Sequence, residues 1–225
     1  MTILLAEDNP ITREALAAVI QDEGYRTLLA ADGREALELW RVHRPQLLCL
    51  DIMMPGMDGF EVCRRVRAID ARVPILFLSA KSEESDVVVG LGLGADDFIR
   101  KPFTALEVVA RVRAALRRAG PAEEGEIIFA MADLLVRPAA LAAERDGASI
   151  SLTPREVAML ALLHRHPGLP VSRDRFLDEC WGVEYFPDSR TLDQHILMLR
   201  KKIEADPVRP RIIETVRGVG YRFRP

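Results

Sequence analysis

The stretch LLCLDIMMPG, residues 47–56, decides how the first half of this 225-residue chain folds. Four apolar residues lead directly into Asp51, and a Pro-Gly pair ends the motif soon afterwards. A short, continuously apolar run bounded by turn residues is typical of a strand that is buried on both faces of a parallel sheet. The sequence therefore predicts that Asp51 lies at the carboxyl end of a buried strand.

Four more strand-like runs surround this one, and all five alternate with stretches of helical periodicity. The strand-like runs are residues 2–6, 26–30, 47–51, 74–79 and 95–99, and the helical stretches lie near 10–23, 34–44, 58–69, 83–92 and 104–118. This alternation predicts an α/β fold, a flavodoxin-like doubly wound parallel sheet of five strands with helices on both faces. Ligands of such sheets bind outside the carboxyl ends of the strands.

Polar side chains occupy those carboxyl ends. They are Glu7 and Asp8 after the first strand, Asp51 at the third, Ser79 at the fourth and Lys101 after the fifth. Clustered carboxylates repel one another, and a Mg²⁺ ion, which prefers oxygen ligands, removes that repulsion. Asp8 and Asp51 are predicted as direct ligands, with Glu7 bound directly or through water. Each residue alone has a structural explanation, such as a cap or a turn, but together they favour a site where Lys101 and Ser79 hold a phosphoryl group.

A different pattern follows residue 118. Residues 119–126, AGPAEEGE, combine small, acidic, Pro and Gly residues, which predicts a linker between a first domain of residues 1–118 and a second of residues 127–225. The second domain has strand-like pieces at 127–129, 134–136 and 149–152, three helical stretches starting near 153, 172 and 189, and a closing hairpin at 212–223. Three helices followed by a hairpin predict an α+β winged helix-turn-helix domain.

Charge and cysteine content narrow the class of protein. The net charge is −3, yet residues 189–225 hold nine basic and four acidic residues, which favours either a nucleic-acid interface or a solvated basic tail. The three cysteines are far apart, which argues against a zinc site or a disulfide framework and fits a reducing cytoplasm. No apolar run approaches about 18 residues, so we expect no membrane span.

The helix that starts at Ser189 is predicted to read DNA. Leu192, Ile196, Leu199 and Ile203 recur at helical spacing and form its buried stripe. The opposite side of the helix is predicted to enter the major groove and carries Arg190, Thr191, Gln194, His195, Leu197, Met198, Lys201 and Lys202. Arg200, Lys201 and Lys202 are predicted to contact the phosphate backbone. Arg217, at the hairpin tip, is predicted to reach a minor groove.

Two aromatic residues and two apolar ones leave open alternatives in this domain. Trp181 and Tyr221 are equally well explained as phosphate contacts or as core aromatics. Leu197 and Met198 can contact thymine methyl groups, or they can leave a weaker electrostatic footprint with a shallower salt dependence.

The motifs together resemble a known family. The segments AEDN (6–9), LDIMMPGMDG (50–59), LSA (78–80) and GADDFIRKPF (94–103) are similar to a response-regulator receiver domain. The segments LTPRE (152–156), RTLDQHI (190–196), LRKK (199–202) and TVRGVGYRF (215–223) resemble the winged-helix effector domain of the OmpR/PhoB subfamily. The resemblance covers nearly the whole chain outside the linker, and it adds Thr215 to the residues expected at the DNA.

The resemblance implies a phosphorylation-dependent, DNA-binding transcription regulator of a bacterial two-component system. Asp51 would accept a phosphoryl group from a sensor histidine kinase, and the Mg²⁺ ligands would be Glu7, Asp8, Asp51 and the backbone carbonyl of Met53. Ser79 and Phe98 would form the switch that reports phosphorylation, and the Lys101-Pro102 bond would be cis. Contact of the loop 181–188 with RNA polymerase is a further expectation.

The resemblance also implies a homodimer, formed on the face of the fourth helix, fifth strand and fifth helix. Its cross-subunit ion pairs would join Asp97 to Arg111 and Glu107 to Arg118. Val87 and Gly92 stand where charged partners are usual, so we predict dimerisation that is weaker, or less dependent on phosphate, than is typical.

Two other functions fit parts of the sequence. A phosphatase of the haloacid-dehalogenase type would use Asp51 as a covalent intermediate, but it needs an acid two residues later, where Met53 stands. A constitutive DNA binder would not need the acidic edge, Ser79 or Lys101. Met53 and Lys81 lack a carboxylate or amide to orient water, which predicts slow autodephosphorylation and no classical enzyme activity.

Overall fold

In a computed structural model that describes residues 1–80, 89–118, 128–182 and 189–225, the chain forms two units, Met1–Ala119 and Gly120–Pro225. The side chains of residues 118, 189 and 190 are not among those described. The predicted linker at 119–126 and most of the predicted fourth helix lie outside the described residues. None of the helices in the described ranges is long and apolar enough to span a membrane.

Five parallel strands form the sheet of the first unit, as predicted. They are β1 (Thr2–Ala6), β2 (Arg26–Ala30), β3 (Leu47–Asp51), β4 (Ile75–Ser79) and β5 (Asp97–Arg100). Their order in the sheet is β2-β1-β3-β4-β5, so the topological switch point lies between β1 and β3. The central strands β3 and β4 are buried along their whole length, because helices cover both faces of the sheet.

The fifth strand begins two residues later than the sequence predicts. Asp96 precedes it, and its carboxylate accepts a hydrogen bond from the Ile75 amide at 2.9 Å and one from the Arg67 guanidinium at 3.1 Å. These contacts hold the chain in a loop until Asp97, where pairing with β4 starts. A side-chain bond of this kind competes with the strand ladder and is not visible in an apolar pattern.

Helices alternate with the strands of the first unit. They are α1 (Pro10–Asp22), α2 (Gly33–His43), α3 (Gly59–Arg67), α4, of which residues 89–92 are described, and α5 (Ala105–Arg118). Asn9, Asp32 and Asp58 cap the first three through side-chain oxygens that accept backbone N–H groups. The Asn9 cap keeps the loop after β1 short, so Glu7 and Asp8 stay at the edge of the sheet.

The second unit begins with four antiparallel strands. They are β6 (Phe129–Met131), β7 (Leu134–Arg137), β8 (Ala142–Arg145) and β9 (Ala148–Ser151), in that order in the sheet. The sequence does not predict β8, because AAER has neither β-branched nor aromatic residues; pairing with β7 and β9 makes it a strand. At the predicted turn, Asp146 and Gly147 both have positive φ, 50° and 79°, as a type I′ hairpin turn requires.

The rest of the second unit is a winged helix, as predicted. It contains α6 (Pro154–His164), β10 (Val171–Ser172), α7 (Arg173–Cys180), α8 (Ser189–Ile203), β11 (Ile213–Val216) and β12 (Gly220–Phe223). The predicted capping box of Thr153 and Glu156 begins α6. The strand order is β10-β12-β11, and a Cβ atom at Gly220 would lie 2.1 Å from the Val171 carbonyl oxygen, so only glycine lets these strands meet.

Candidate functional site

Three carboxylates meet at the switch point of the parallel sheet. Ligand oxygens of Glu7, Asp8 and Asp51 all lie within 4.8 Å of one another. Glu7 and Asp51 are buried, whereas Asp8 is exposed. An all-oxygen set of this kind suits Mg²⁺, so the donor chemistry at this edge fits the ion that the sequence analysis predicts.

Lys101 supplies the positive charge of this cluster. Its Nζ donates hydrogen bonds to Glu7 Oε2 at 2.5 Å and to Asp51 Oδ2 at 2.7 Å. The ammonium reaches them from the end of β5, where the Lys101-Pro102 bond is cis, as expected, and the Lys101 amide donates to the Ser79 carbonyl at 2.7 Å. Acidic and basic groups from three strands thus converge on Asp51.

The electrostatics of the cluster leave a deficit of positive charge. Burial raises the pKa of Glu7, and the nearby Asp51 carboxylate raises it further, although the hydrogen bond from Lys101 opposes both. Burial acts to lower the pKa of Lys101, but its hydrogen bonds to Asp51 and Glu7 outweigh burial and raise it. Lys101 therefore stays cationic, and three carboxylates share one described ammonium, so binding of a further cation is favourable.

Backbone contacts fix the loops that carry these carboxylates. The Met53 amide donates to Asp51 Oδ1 at 3.2 Å, and a Cβ atom at Gly59 would lie 2.3 Å from the Asp51 carbonyl oxygen. Arg13, on α1, donates through Nη1 to the Glu7 carbonyl at 2.6 Å. The sequence does not predict this role of Arg13, because an arginine in the first turns of a helix has the same pattern whether it makes this contact or faces solvent.

The two predicted switch residues lie on neighbouring strands. Ser79, at the end of β4, is buried one residue beyond the position that pairs with Asp51. Phe98, on β5, is buried at 5% exposure, and its ring centroid lies 5.2 Å from that of Phe77. Ser79 therefore lies at the same sheet edge as the acidic cluster, and Phe98 lies further into the unit.

Three residues of the predicted dimer face pair with one another within the chain, and their pairing across two subunits stays a prediction. Arg111 Nη1 donates to Asp97 at 3.0 Å and Nη2 donates to Glu107 at 2.8 Å, all within one chain. Glu107 and Arg111 are one turn apart on α5, and Asp97 lies beside them on β5, which brings the three together without a second subunit. The side chain of Arg118 and the whole of Val87 lie outside the described part of the chain.

Several residues predicted to contact DNA are buried, and this corrects their assignment. Trp181 is fully buried, with the Arg155 guanidinium carbon 4.3 Å from its ring centroid and the His195 ring edge-on at 4.9 Å. His195 Nδ1 lies 2.9 Å from the Thr191 carbonyl oxygen, and Thr191 and Met198 are also buried. This packing positions α8 rather than exposing those side chains. Leu197, in contrast, is exposed and can take the apolar role considered for Met198.

A second group joins α8 to the hairpin of β11 and β12. Arg200 donates to the Ile213 carbonyl at 2.5 Å through Nη2 and to Thr215 Oγ1 at 2.9 Å. The buried Tyr221 donates its hydroxyl to Asp193 at 2.6 Å, which agrees with the core-aromatic alternative. These bonds hold the helix and the hairpin together, so Arg200 and Tyr221 have internal partners in the described structure.

The remaining predicted DNA contacts lie on accessible surface. Lys201, Thr215 and Arg217 are exposed and Gln194 is partly exposed. Lys202 is partly exposed, and its Nζ donates to Glu156 at 2.8 Å. Arg190 is on α8, but its side chain is outside the described set.

Comparison with known proteins assigns both units. Residues 3–113 match the response regulator receiver domain family, and residues 147–223 match the family described as transcriptional regulatory protein, C terminal. The DNA-binding response regulator MtrA of Mycolicibacterium smegmatis is 44% identical over 99% of this chain and 96% of its own length. The transcriptional regulatory protein AfsQ1 of Streptomyces coelicolor is 42% identical over 100% of this chain and 98% of its own length.

Solved structures agree with these relatives. DrrB of Thermotoga maritima, an OmpR/PhoB homologue, is 29% identical to this chain and has a TM-score of 0.53. The match covers 100% of this chain and 99% of DrrB. The chain is therefore a two-component response regulator in which a receiver domain accompanies a transcriptional regulatory, DNA-binding domain. It belongs to the OmpR/PhoB family. Its class is that of a transcription regulator and not a classical enzyme, and the two domains support a sensor histidine kinase and DNA as partners.

Proposed function

We propose that Asp51 is the phosphoacceptor of this regulator and that the acidic cluster is its input site. The observation that carries the proposal is the convergence of Glu7, Asp8, Asp51 and Lys101 at one sheet edge. Mg²⁺ would be held by Glu7, Asp8, Asp51 and the carbonyl of Met53, and when bound it would neutralise charge on the phosphoryl group.

Phosphoryl transfer to Asp51 forms one bond and breaks one. A carboxylate oxygen of Asp51 bonds to phosphorus while the bond from phosphorus to the kinase histidine nitrogen breaks, and the imidazole leaves with that electron pair. Lys101 already donates to Asp51 Oδ2, so its ammonium can follow the negative charge onto the phosphoryl oxygens. Ser79, buried at the same edge, donates to another of these oxygens, and Phe98 reports the change.

Acetyl phosphate labelling of the full chain tests this proposal. We expect Mg²⁺-dependent labelling of the native chain and none in Asp51→Asn. Asp58→Asn is the matched control, because Asp58 caps α3 outside the cluster and asparagine also caps helices. Labelling of Asp51→Asn at the native rate would refute the assignment, and rapid release of free phosphate would instead favour an enzyme. Neither Met53 nor Lys81, which is outside the described residues, has a carboxylate or amide to orient an attacking water, so we expect the label to persist for minutes or longer.

For the output domain, we propose that residues 127–225 bind double-stranded DNA, with residues 1–118 as receiver and 119–126 as linker. The accessible basic and polar residues support this role: Gln194, Lys201, Thr215 and Arg217, together with Arg190 from the sequence. Selection of bound sequences from a random duplex pool would define the operator. Arg217→Ala is expected to weaken binding most at operators with a narrow, A·T-rich minor groove, because the arginine is predicted to reach that groove.

We further propose a homodimer on the face of α4, β5 and α5 that is weak. Val87 and Gly92 stand where charged partners are usual, and Asp97, Glu107 and Arg111 already pair within the chain, so few charges are left for pairs across the two subunits. Sedimentation before and after acetyl phosphate treatment measures this, and a tight dimer after treatment would contradict it. We also propose that residues 181–188 contact RNA polymerase. The regulator would act in the cytoplasm, where the chromosome lies.

A further inference from the structure

A group of three phenylalanine rings lies beneath the predicted switch. The rings of Phe60 and Phe77 meet edge-on with centroids 5.2 Å apart, and Phe98 packs on Phe77 at the same distance and a tilt of 49°. Phe77 is fully buried, so its ring is enclosed by other atoms. Phe98 is buried at 5% exposure, whereas Phe60 is partly exposed; in the proposed function, Phe98 is the ring of this group that turns.

The ring of Phe98 is buried because residue 90 has no side chain. A Cβ atom at Gly90 would lie 2.6 Å from both Cε2 and Cζ of Phe98 and 3.0 Å from Cδ2 of Phe77. Gly90 is itself buried and lies in the described part of α4. Carbon atoms do not approach to 2.6 Å without a shift, and the far end of the Phe98 side chain can shift more easily than a helix backbone or the enclosed Phe77 ring.

We propose that Gly90 is a positioning residue for the switch, because it leaves the space that the Phe98 ring occupies when it turns inwards. This inference rests on the proposed function, in which the ring of Phe98 reports phosphorylation of Asp51. An alanine at residue 90 would hold the ring outside in both states. Phosphorylation of Asp51 would proceed as in the native chain, because Gly90 contributes nothing to the acidic cluster. The DNA-binding domain would no longer respond to that phosphorylation.

The test compares Gly90→Ala with Gly92→Ala in the full chain. Gly92 is exposed on the same helical stretch, so both substitutions bring a similar gain in helix propensity. We expect normal acetyl phosphate labelling of Asp51 in both. The increase in DNA affinity on phosphorylation should fall by roughly fivefold or more in Gly90→Ala, the scale expected of an overpacked core site, and should stay native in Gly92→Ala.

A double variant shows whether the effect acts through the ring. Leucine at residue 98 lacks the Cε2 and Cζ atoms that meet the new methyl group, so Gly90→Ala should have no further effect in the Phe98→Leu background. An equal effect of Gly90→Ala in both backgrounds would overturn the proposal. If Gly90→Ala fails to fold, NMR of the native chain with ring-labelled phenylalanine tests the proposal instead. An NOE between the Phe98 ring and the Gly90 α-protons supports the proposal. Absence of that NOE in both phosphorylation states overturns it.

The outcomes also separate this inference from the proposed function. Absence of label on Asp51 in the native chain would overturn both. Normal label in the native chain and in Gly90→Ala, with an undiminished affinity gain in the variant, would overturn only the role of Gly90.

Discussion

At the scale of single residues, Lys101 balances charge that the fold buries. The side chains of Glu7 and Asp51 are 2% and 6% exposed, and both hydrogen-bond to this ammonium. We expect Lys101→Met to destabilise the receiver unit by about 2–4 kcal/mol in EDTA, since removing one partner leaves buried charge uncompensated. Mg²⁺ should then restore more stability to the variant than it adds to the native chain, because the ion replaces the missing charge.

Urea unfolding monitored by tryptophan fluorescence measures the free energy of unfolding of each variant. Trp40, one of two tryptophans in the chain, lies in the receiver unit and reports its unfolding. Lys101→Arg, which keeps the charge, is the control. Equal stabilisation of Lys101→Met and the native chain by Mg²⁺ would show that the ion and Lys101 do not share these carboxylates.

Tyr221 is a second residue whose contribution to stability depends on its hydrogen-bond partner. Burial raises the pKa of Tyr221, and the hydrogen bond that its hydroxyl donates to Asp193 raises it further. Tyr221→Phe should cost about 1–2 kcal/mol at pH 7, the scale of a hydrogen bond to a charged acceptor. Above about pH 10 the unfolded chain ionises this tyrosine and the folded chain does not. The stability of the native protein therefore falls as pH rises, and its advantage over Tyr221→Phe shrinks.

The free energy of unfolding of both chains, measured from pH 7 to pH 11 through the fluorescence of Trp181, tests the sign of this pH dependence. An advantage of the native chain that grows above pH 10 would mean that the folded state ionises Tyr221 more easily than the unfolded state does.

At the scale of elements, side chains tie α8 to the hairpin of β11 and β12. Arg200 bonds to Ile213 and Thr215, whereas its neighbour Lys201 is exposed. We expect Arg200→Ala to weaken DNA binding with an unchanged salt slope, because it releases the hairpin and removes no phosphate contact. Lys201→Ala should lower the slope by about one. Binding titrations over a range of salt concentrations measure the affinity and the salt slope of both variants. A lower salt slope in Arg200→Ala would mean that Arg200 contacts a phosphate.

The same elements show what the sequence can predict. The strand ends at Asp51 and Ser79 follow from apolar runs, because a parallel sheet buries whole strands and places their ends at one edge. The role of Arg200 does not follow, since an arginine on a helix has the same sequence pattern whether it bonds a phosphate or a carbonyl across the domain. The burial of His195 against Trp181 and the space at Gly90 likewise depend on contacts between distant segments, which periodicity does not encode.

At the scale of the whole molecule, each unit has a hydrophobic core of its own. Leu5, Cys49 and Leu78 belong to the core of the first unit, and Leu160, Trp181 and Ile196 belong to that of the second. The two cores use different signals in the sequence, continuous apolar strands in one and helical stripes in the other. This is why both fold classes can be predicted from one chain.

The three cysteines report on these two cores separately, because Cys49 and Cys63 lie in the first unit and Cys180 in the second, all buried. Burial raises the pKa of Cys49 to about 12 and that of Cys63 to about 11, so both are almost entirely protonated at pH 8. We expect no alkylation of the folded chain by iodoacetamide at that pH. In a urea series, pulse labelling with peptide mass spectrometry should show Cys49 and Cys63 reacting together as the first unit unfolds. Lys101→Met should shift only that pair to lower urea, and Tyr221→Phe should shift only Cys180. Labelling of all three at one urea concentration in every variant would show that the two units unfold as a single cooperative body.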